Sequence, residues 1–131
     1  MGCGQTKEEP PAAPTVPTIR CSQVLIKHIA SNNPESKRTG ARCMATPPEA
    51  LAAALVVHAD ILSGKITFEE AVKTKSDCSS FNKGGDLGEF AEGEKKFFGK
   101  PFDDAAFKLA VGQMSGVVMT KTGLQIIKRT A

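Results

Sequence analysis

The sequence predicts an α+β domain, and three observations lead to that prediction. A strand-forming run begins at Ile19, two helix-start signals follow in the middle of the chain, and two β-rich runs joined by a glycine turn lie near the end. Helices grouped between the strands of an antiparallel sheet are typical of this class. The length of 131 residues suits one domain with a usable core.

The first predicted strand is residues 19–27, whose Val24-Leu25-Ile26 run is strongly apolar and rich in β-branched residues. The pattern then breaks over residues 28–45, where Asn32-Asn33-Pro34 marks a turn. This loop and the residue before it carry several cations against the single acid Glu35, namely Lys27, Lys37, Arg38 and Arg42. A solvated loop is the default interpretation. Long loops in compact domains are often functional, however, and clustered cations suit a phosphate.

The first helix is predicted to begin after Thr46. Thr46-Pro47-Pro48-Glu49 combines an N-cap, proline in the first turn and a capping-box glutamate, and Gly64 can end the helix. We expect its buried stripe to consist of Leu51, Leu55 and Leu62, and we expect His58 to be structural. A second capping box, Thr67-Phe68-Glu69-Glu70, predicts a short helix that ends near residue 75.

The second half of the chain continues the alternation. A strand is predicted at residues 87–90, a connection at 92–99, and a helix from residue 101 or 102 to 109. Two β-rich runs, 116–119 and 124–128, are joined at Thr120-Lys121-Thr122-Gly123, which is a hairpin signal with glycine at the turn.

Composition excludes several classes of protein. The longest apolar run, residues 50–57, is far shorter than the roughly 18 to 20 residues that span a bilayer. A net charge of +3, with no basic stripe interleaved with aromatic residues, argues against nucleic-acid binding. The four cysteines form no CxxC pair and the start of the chain lacks a secretory signal. We therefore expect free thiols and a cytoplasmic location, with the nucleus left open.

Residues 1–18 are predicted to be a disordered, proline-rich tail, and residues 19–131 the folded domain. Met1-Gly2-Cys3-Gly4-Gln5-Thr6 fits the pattern for N-myristoylation of Gly2, and Cys3 is placed for a palmitoyl chain. One myristoyl group binds membranes only marginally, whereas two acyl chains anchor a protein stably. The alternative is a chance match to a short motif.

A candidate reactive thiol lies in Ser76-Asp77-Cys78-Ser79-Ser80, shortly before Gly84-Gly85-Asp86-Leu87-Gly88-Glu89-Phe90. A polar loop can leave the thiol of Cys78 partly exposed and ionisable. The glycines allow sharp turns and close approach of the backbone on either side of Leu87. The alternative is a buried cysteine in an Asp/Ser turn beside an edge strand.

Four blocks in order resemble parvulin-type peptidyl-prolyl cis/trans isomerases, and most of all their Pin-type branch. They are Arg20-Cys21-Ser22-Gln23-Val24-Leu25-Ile26-Lys27-His28, the run from Ser76 to Phe90, Lys100-Pro101-Phe102-Asp103-Asp104-Ala105-Ala106-Phe107, and Gly123-Leu124-Gln125-Ile126-Ile127-Lys128-Arg129. The resemblance covers about residues 19–131. The WW module of many Pin-type relatives is absent from this sequence, which has no tryptophan.

The resemblance implies an FKBP-like fold in which about four helices surround a four-stranded antiparallel sheet. It also implies a monomer that needs no metal or cofactor. Its partners would be proline-containing proteins, with preference for phosphorylated Ser-Pro and Thr-Pro.

The resemblance also assigns candidate site residues. Leu87, Phe102 and one of Phe97 or Phe98 would form the proline pocket, with Phe98 chosen here, although the family usually has methionine at that third position. Cys78, Thr120 and Thr122 match the polar side of the site, with Cys78 tuning the electrostatics at the carbonyl.

Two departures from the family concern the floor and the phosphate site. The histidine pair of most parvulin sites is replaced by Gln23 and Gln125, which can preserve an uncharged hydrogen-bonded floor. The phosphate-binding arginines of the Pin-type branch fall at Asn32 and Asn33. We therefore expect Lys27, which matches a basic family position, together with Lys37 and Arg38 to supply the charge.

Two other functions stay open at this point. Cys78 as a covalent nucleophile, with His28 or His58 as base, would make the protein a thiol hydrolase or transferase. A parvulin fold with turnover weakened by the glutamine pair would be a phosphoprotein-binding module.

Overall fold

The computed structural model describes residues 17–96 and 98–131, which form one four-stranded antiparallel sheet with helices on both faces. The strands are β1 (Thr18–Ile26), β2 (Asp86–Ala91), β3 (Met114–Thr120) and β4 (Gly123–Arg129). The helices are α1 (Pro47–Ser63), α2 (Phe68–Lys75) and α3 (Lys100–Phe107), and a 3-10 helix spans Ser79–Lys83. The α+β prediction is confirmed. The described residues contain three α-helices and one 3-10 helix, where about four helices were expected.

The sheet order is β2-β1-β4-β3, so the first and last strands lie side by side in the middle of the sheet. Across that pair Gln23 lies opposite Ile127, and Leu25 lies opposite Gln125. The predicted hairpin is confirmed, since β3 pairs with β4 up to Thr120 and Gly123.

Gly123 is needed where this hairpin meets the end of β1. Its φ is +145°, and a Cβ there would lie 2.5 Å from the carbonyl oxygen of Ile26. The close approach brings the hairpin turn, with Thr120 and Thr122, beside the end of β1.

Alternation along the central strands separates two faces of the sheet. Val24 and Ile126 pack toward α1 and α2, in a cluster with Val57, Phe68 and Val72. On the opposite face, which we call the α3 face, the buried cluster draws on β1, β2, β4 and α3 and consists of Ile19, Cys21, Phe90, Phe98, Phe102, Ala106, Leu109 and Ile127. Gln23 and Gln125 lie on this second face by alternation, and both are completely buried.

Both predicted capping boxes are confirmed. Thr46 Oγ1 accepts a hydrogen bond from Glu49 N at 3.3 Å, and Glu49 Oε1 accepts one from Thr46 N at 2.8 Å. Thr67 and Glu70 make the same pair of bonds at the start of α2, at 3.0 Å each. Gly64 ends α1 in the left-handed conformation, with φ of 81°.

The predicted buried stripe of α1 is wrong. Leu55 and Leu62 are 52% and 69% exposed, and Leu51 is only partly buried. The buried residues are Ala50, Ala54 and Val57, which lie four and three positions apart on another face of the helix. Small alanine side chains let α1 approach Leu124 and the sheet closely, and the larger leucines remain outside.

The ends of other elements differ slightly from prediction. β1 begins at Thr18 and stops at Ile26, because the N–H of Lys27 donates to Asp77 Oδ2 at 3.0 Å and leaves the strand ladder. The predicted tail falls almost wholly outside the described residues. Within the described parts of the chain, no helix combines the length and apolar character needed to cross a membrane.

Candidate active site

A chain of buried and partly buried polar side chains crosses the α3 face of the sheet. Thr120 Oγ1 donates to Gln125 Oε1 at 2.8 Å, and Gln125 Nε2 donates to Gln23 Oε1 at 2.5 Å. Gln23 Nε2 in turn donates to Cys78 Sγ at 3.3 Å. Each amide accepts with its oxygen and donates with its nitrogen, so the hydrogen bonds run in one direction and end on the thiol. The two glutamine amides are thus hydrogen-bonded to each other, and their role as an uncharged floor of an active site stays a prediction.

Cys78 lies immediately before the 3-10 helix and is partly buried. Its sulfur accepts a second hydrogen bond, from Ser80 Oγ at 3.2 Å. Because both bonds use the sulfur as acceptor, the S–H of Cys78 is left to donate elsewhere. Sequence reasoning did not single out Ser80, since nothing local distinguishes it from the other serines in that run.

The hairpin turn supplies the other polar edge of the site. The N–H of Thr122 donates to Thr120 Oγ1 at 3.2 Å, which orients the hydroxyl that begins the polar chain. Thr122 also lines a small cavity together with Cys78. The predicted polar residues are therefore brought together from β1, β3, β4, the hairpin turn and the segment before the 3-10 helix.

Two cavities flank Cys78, and Phe98 forms part of the wall of both. The first, of about 250 Å³, is lined by Leu87 and Lys95 among others. The second, which we call the Cys78–Thr122 cavity, has a volume of about 170 Å³. Cys78 thus stands between two small spaces that share one aromatic wall.

The apolar residues predicted for the pocket lie together. Phe98 is 3% exposed, and its ring centroid lies 4.7 Å from that of Phe102. Phe102 is fully buried and stands behind Phe98, outside the lining of both cavities. Leu87 is half-buried on β2 and packs against the same cluster. Phe97, the alternative to Phe98, lies outside the described residues. The roles of these side chains in substrate binding stay predictions.

Asp77, the residue before Cys78, connects the loop of residues 28–45 to the segment that carries Cys78. Asp77 is 8% exposed, and its carboxylate accepts hydrogen bonds from Ser36 Oγ at 2.7 Å and from Lys27 N at 3.0 Å. Its backbone carbonyl accepts from Lys37 N at 3.0 Å. Sequence reasoning treated Asp77 only as part of a polar setting, because the carboxylate's partners lie 41 and 50 residues away.

Arg38 points back into the domain. Its Nε donates to the carbonyl oxygen of Ser76 at 3.1 Å, and Nη2 lies 3.5 Å from Asp77 Oδ1. Arg38 lines a groove next to α1 and does not line the Cys78–Thr122 cavity. The geometry suits a side chain that fixes the loop.

Lys27 and Lys37 both line the Cys78–Thr122 cavity. Lys27 is buried, and its Nζ donates to the carbonyl oxygen of Glu35 at 2.7 Å. Lys37 is exposed, and its Nζ lies 3.4 Å from Glu35 Oε1. Since an ammonium has three donors, one hydrogen bond to Glu35 leaves each lysine with two more.

The two histidines take part in other contacts. His58 Nε2 lies 3.1 Å from the carbonyl oxygen of Ser115, and His28 Nδ1 accepts from the N–H of Ala30 at 3.1 Å. Within the described residues, the hydrogen-bond partners of Cys78 Sγ are one amide and one hydroxyl. No imidazole is therefore positioned as a base for this thiol.

The other described cysteines, Cys21 and Cys43, are unpaired. Burial raises the pKa of the Cys21 thiol to about 11. Burial and the nearby Asp77 carboxylate raise the pKa of Cys43 as well. Both thiols stay protonated at neutral pH. Within the described residues, no group of three His, Cys, Asp or Glu side chains is arranged to hold a metal ion.

Known proteins share this fold and much of this sequence. Residues 28–131 match the family described as Rotamase, PPIC-type PPIASE domain. The chain is 42% identical over 116 residues to the peptidyl-prolyl cis-trans isomerase Pin1 of Arabidopsis thaliana, covering 86% of this chain and 95% of that one. It is 43% identical over 111 residues to the peptidyl-prolyl cis-trans isomerase ssp-1 of Neurospora crassa, covering 85% of this chain and 59% of the relative.

A solved structure of a peptidyl-prolyl isomerase shows the same fold. The structure superimposes on peptidyl-prolyl isomerase ESS1 from Candida albicans with a TM-score of 0.82 and 37% identity, covering 87% of this chain and 63% of that one. The match thus spans about 60% of the two fungal proteins and nearly the whole plant relative. The chain belongs to the PPIC-type, or parvulin, family and is a peptidyl-prolyl cis-trans isomerase.

Proposed function

We propose that this isomerase prefers X-Pro bonds in which the residue before proline is a phosphorylated serine or threonine. The observation that carries the proposal is the presence of Lys27 and Lys37 in the wall of the Cys78–Thr122 cavity. Ammonium groups with free donors form strong, charge-assisted hydrogen bonds to phosphate oxygens. Arg38, through Ser76 and Asp77, would hold the loop in place and would not itself contact the phosphate.

The reaction requires no bond to form or break. The barrier to X-Pro rotation is roughly 18 to 20 kcal/mol and arises from amide resonance. An enzyme lowers it by binding the twisted amide better than either planar isomer. The apolar wall formed by Leu87 and Phe98, with Phe102 behind it, would hold the proline ring while the preceding carbonyl turns.

Cys78 would act on that carbonyl through its thiol proton. Its sulfur is already an acceptor for Gln23 and Ser80, which leaves the S–H available to a new acceptor. A donor held in this way can bind the carbonyl oxygen in the orientation that only the twisted amide reaches. Cys78 is then a hydrogen-bond donor, and no covalent intermediate forms.

The test is exchange spectroscopy on matched peptides with phosphorylated and plain Ser-Pro. Lys37→Ala should weaken catalysis toward the phosphopeptide by about tenfold, since a hydrogen bond to a charged group contributes roughly 1.5 to 3 kcal/mol. Plain peptide should be nearly unaffected. Lys73→Ala, an exposed change on α2, is the matched control. Equal rates on both peptides in the unmodified protein would overturn the phosphate preference, and shifted resonances without faster exchange would indicate a binding module.

We also propose that the protein acts as a monomer in the cytoplasm and is attached to the cytoplasmic face of a membrane by acyl chains on Gly2 and Cys3. Both residues lie outside the described part of the chain, and the support is the sequence pattern alone. Gly2→Ala should move the protein to the soluble fraction of its cells, and Cys3→Ser should do so partially, because stable anchoring takes two signals. Wholly soluble wild-type protein would reject the attachment.

A further inference from the structure

A third and larger cavity, of about 700 Å³, adjoins the active site on the side of Thr120. It shares Phe98 with both cavities beside Cys78, and its wall includes Thr120, where the polar chain begins. A substrate held against Phe98 therefore extends naturally into this space. We call it the lysine cavity, because Lys96, Lys100 and Lys121 line it.

The three lysines come from two parts of the chain, since Lys96 and Lys100 are only four residues apart. Lys96 precedes α3, Lys100 is the first residue of α3, and Lys121 is in the turn between β3 and β4. The backbone of Lys121 is held by a hydrogen bond from Asn32 N to its carbonyl oxygen at 2.9 Å. Folding brings Lys121 beside the segment that contains Lys96 and Lys100, and together these cations form a positive surface.

Little negative charge opposes these lysines. No Asp or Glu among the described residues lines the cavity. Lys100 Nζ lies 3.1 Å from Asp104 Oδ1, but the lysine side chain is 83% exposed, and such pairs are weak and screened by salt. Glu92 and Asp103 also act on Lys100 at longer range. Lys96 and Lys121 are exposed as well.

We propose that the lysine cavity is a second substrate subsite, which binds an anionic side chain, carboxylate or phosphate, located after the proline in the peptide. The assignment to that side rests on the proposed function, which places the residue before proline in the Cys78–Thr122 cavity with Lys27 and Lys37. The residue after proline is then the one on the other side of Phe98, at the lysine cavity. A peptide strand advances about 3.3 Å per residue, so one or two residues carry a side chain from Phe98 into the neighbouring space.

The experiment uses unphosphorylated Ser-Pro peptides that differ only in the two residues after proline, which are Glu, phosphoserine, Gln or Lys. We expect KM to be about fivefold lower with the anionic peptides than with Gln, and the difference should shrink in high salt. In the triple variant Lys96→Gln, Lys100→Gln, Lys121→Gln this KM ratio should fall to about one. A fifth peptide places the two Glu residues before the Ser-Pro instead.

The matched control is Lys65→Gln, Lys73→Gln, Lys108→Gln, which removes the same charge from exposed lysines elsewhere and should keep the ratio. A ratio of one in the unmodified protein, or equal loss in both triple variants, would overturn the subsite. Equal benefit from acids before the Ser-Pro would overturn the assigned side. Lys37→Ala should keep the ratio, so a failed phosphate preference at Lys37 is distinguishable from a failed lysine cavity.

Discussion

The two faces of the central strands are equally well buried but are stabilised differently. Val24 and Ile126 face α1 and α2, have no exposed surface, and contribute only apolar contacts. Gln23 and Gln125, their immediate neighbours in sequence, are just as buried on the α3 face. Their amides remain stable there only because each has a partner. The face toward α1 and α2, which we call the apolar face, is therefore sensitive to lost side-chain volume. At Gln23 and Gln125 the α3 face is sensitive to a lost hydrogen bond.

The largest effect is expected on the apolar face. Ile126→Ala should lower the free energy of unfolding by about 2 to 5 kcal/mol, because it removes buried methylene groups and leaves a cavity. Denaturant unfolding measures the loss. Leu62→Ala is the control, since Leu62 is 69% exposed and should change stability by at most about 0.5 kcal/mol. A small effect at Ile126 would contradict the close packing of this face.

Breaking the polar chain should have an intermediate effect on stability and a large one on activity. Gln23→Ala or Gln125→Ala leaves the other amide unpaired, which costs about 1 to 3 kcal/mol. The double change Gln23→Leu, Gln125→Leu removes both partners and should melt at a higher temperature than either alanine variant, yet remain slow in exchange spectroscopy. Unchanged melting in both alanine variants would show that the glutamines share no buried network.

Cys78, where the series of polar hydrogen bonds ends, should matter mainly for catalysis. Cys78→Ala removes the proposed donor and should lower kcat/KM by about tenfold, equivalent to about 1.4 kcal/mol. Cys78→Ser should retain more activity than Cys78→Ala, because a serine hydroxyl can accept from Gln23 and still donate to the substrate carbonyl. A covalent mechanism would make Cys78→Ser inactive, and an adduct detected by mass spectrometry during turnover would contradict the donor role.

The smallest effect is expected at the exposed ion pair between Arg20 and Asp86 on β1 and β2. The hydrogen bond from Arg20 lowers the pKa of the Asp86 carboxyl below its ordinary 3.8. The ion pair therefore stabilises the folded protein fully above the unfolded-state pKa of Asp86. This contribution is lost as the pH falls through the lower, folded-state pKa of Asp86. The pair is solvent-screened, so the change is at most about 1 kcal/mol. Denaturation of wild type and Asp86→Asn between pH 6 and about 2 measures it; identical pH profiles would contradict it.

Local signals determined much of the fold. The capping boxes at Thr46 and Thr67, the left-handed cap at Gly64 and the glycine of the final hairpin act over three or four residues, so the sequence alone indicates where these elements begin and end. The resemblance to parvulins likewise predicts Gln23, Cys78 and Gln125 as site residues, because each of them lies in one of the resembling blocks.

Tertiary structure decided the remainder. Which face of α1 is buried depends on the sheet, and the alanines approach it more closely than the predicted leucines. The inward turn of Arg38 depends on Ser76 and Asp77, 38 and 39 residues away. The amide pair joins residues 102 positions apart, and the lysine cavity is lined by Asn32, by residues around the start of α3 and by the hairpin turn. Sequence patterns indicate how a residue behaves within one turn, helix or strand. The contacts described here join residues that are distant in sequence, so they exist only in the folded domain.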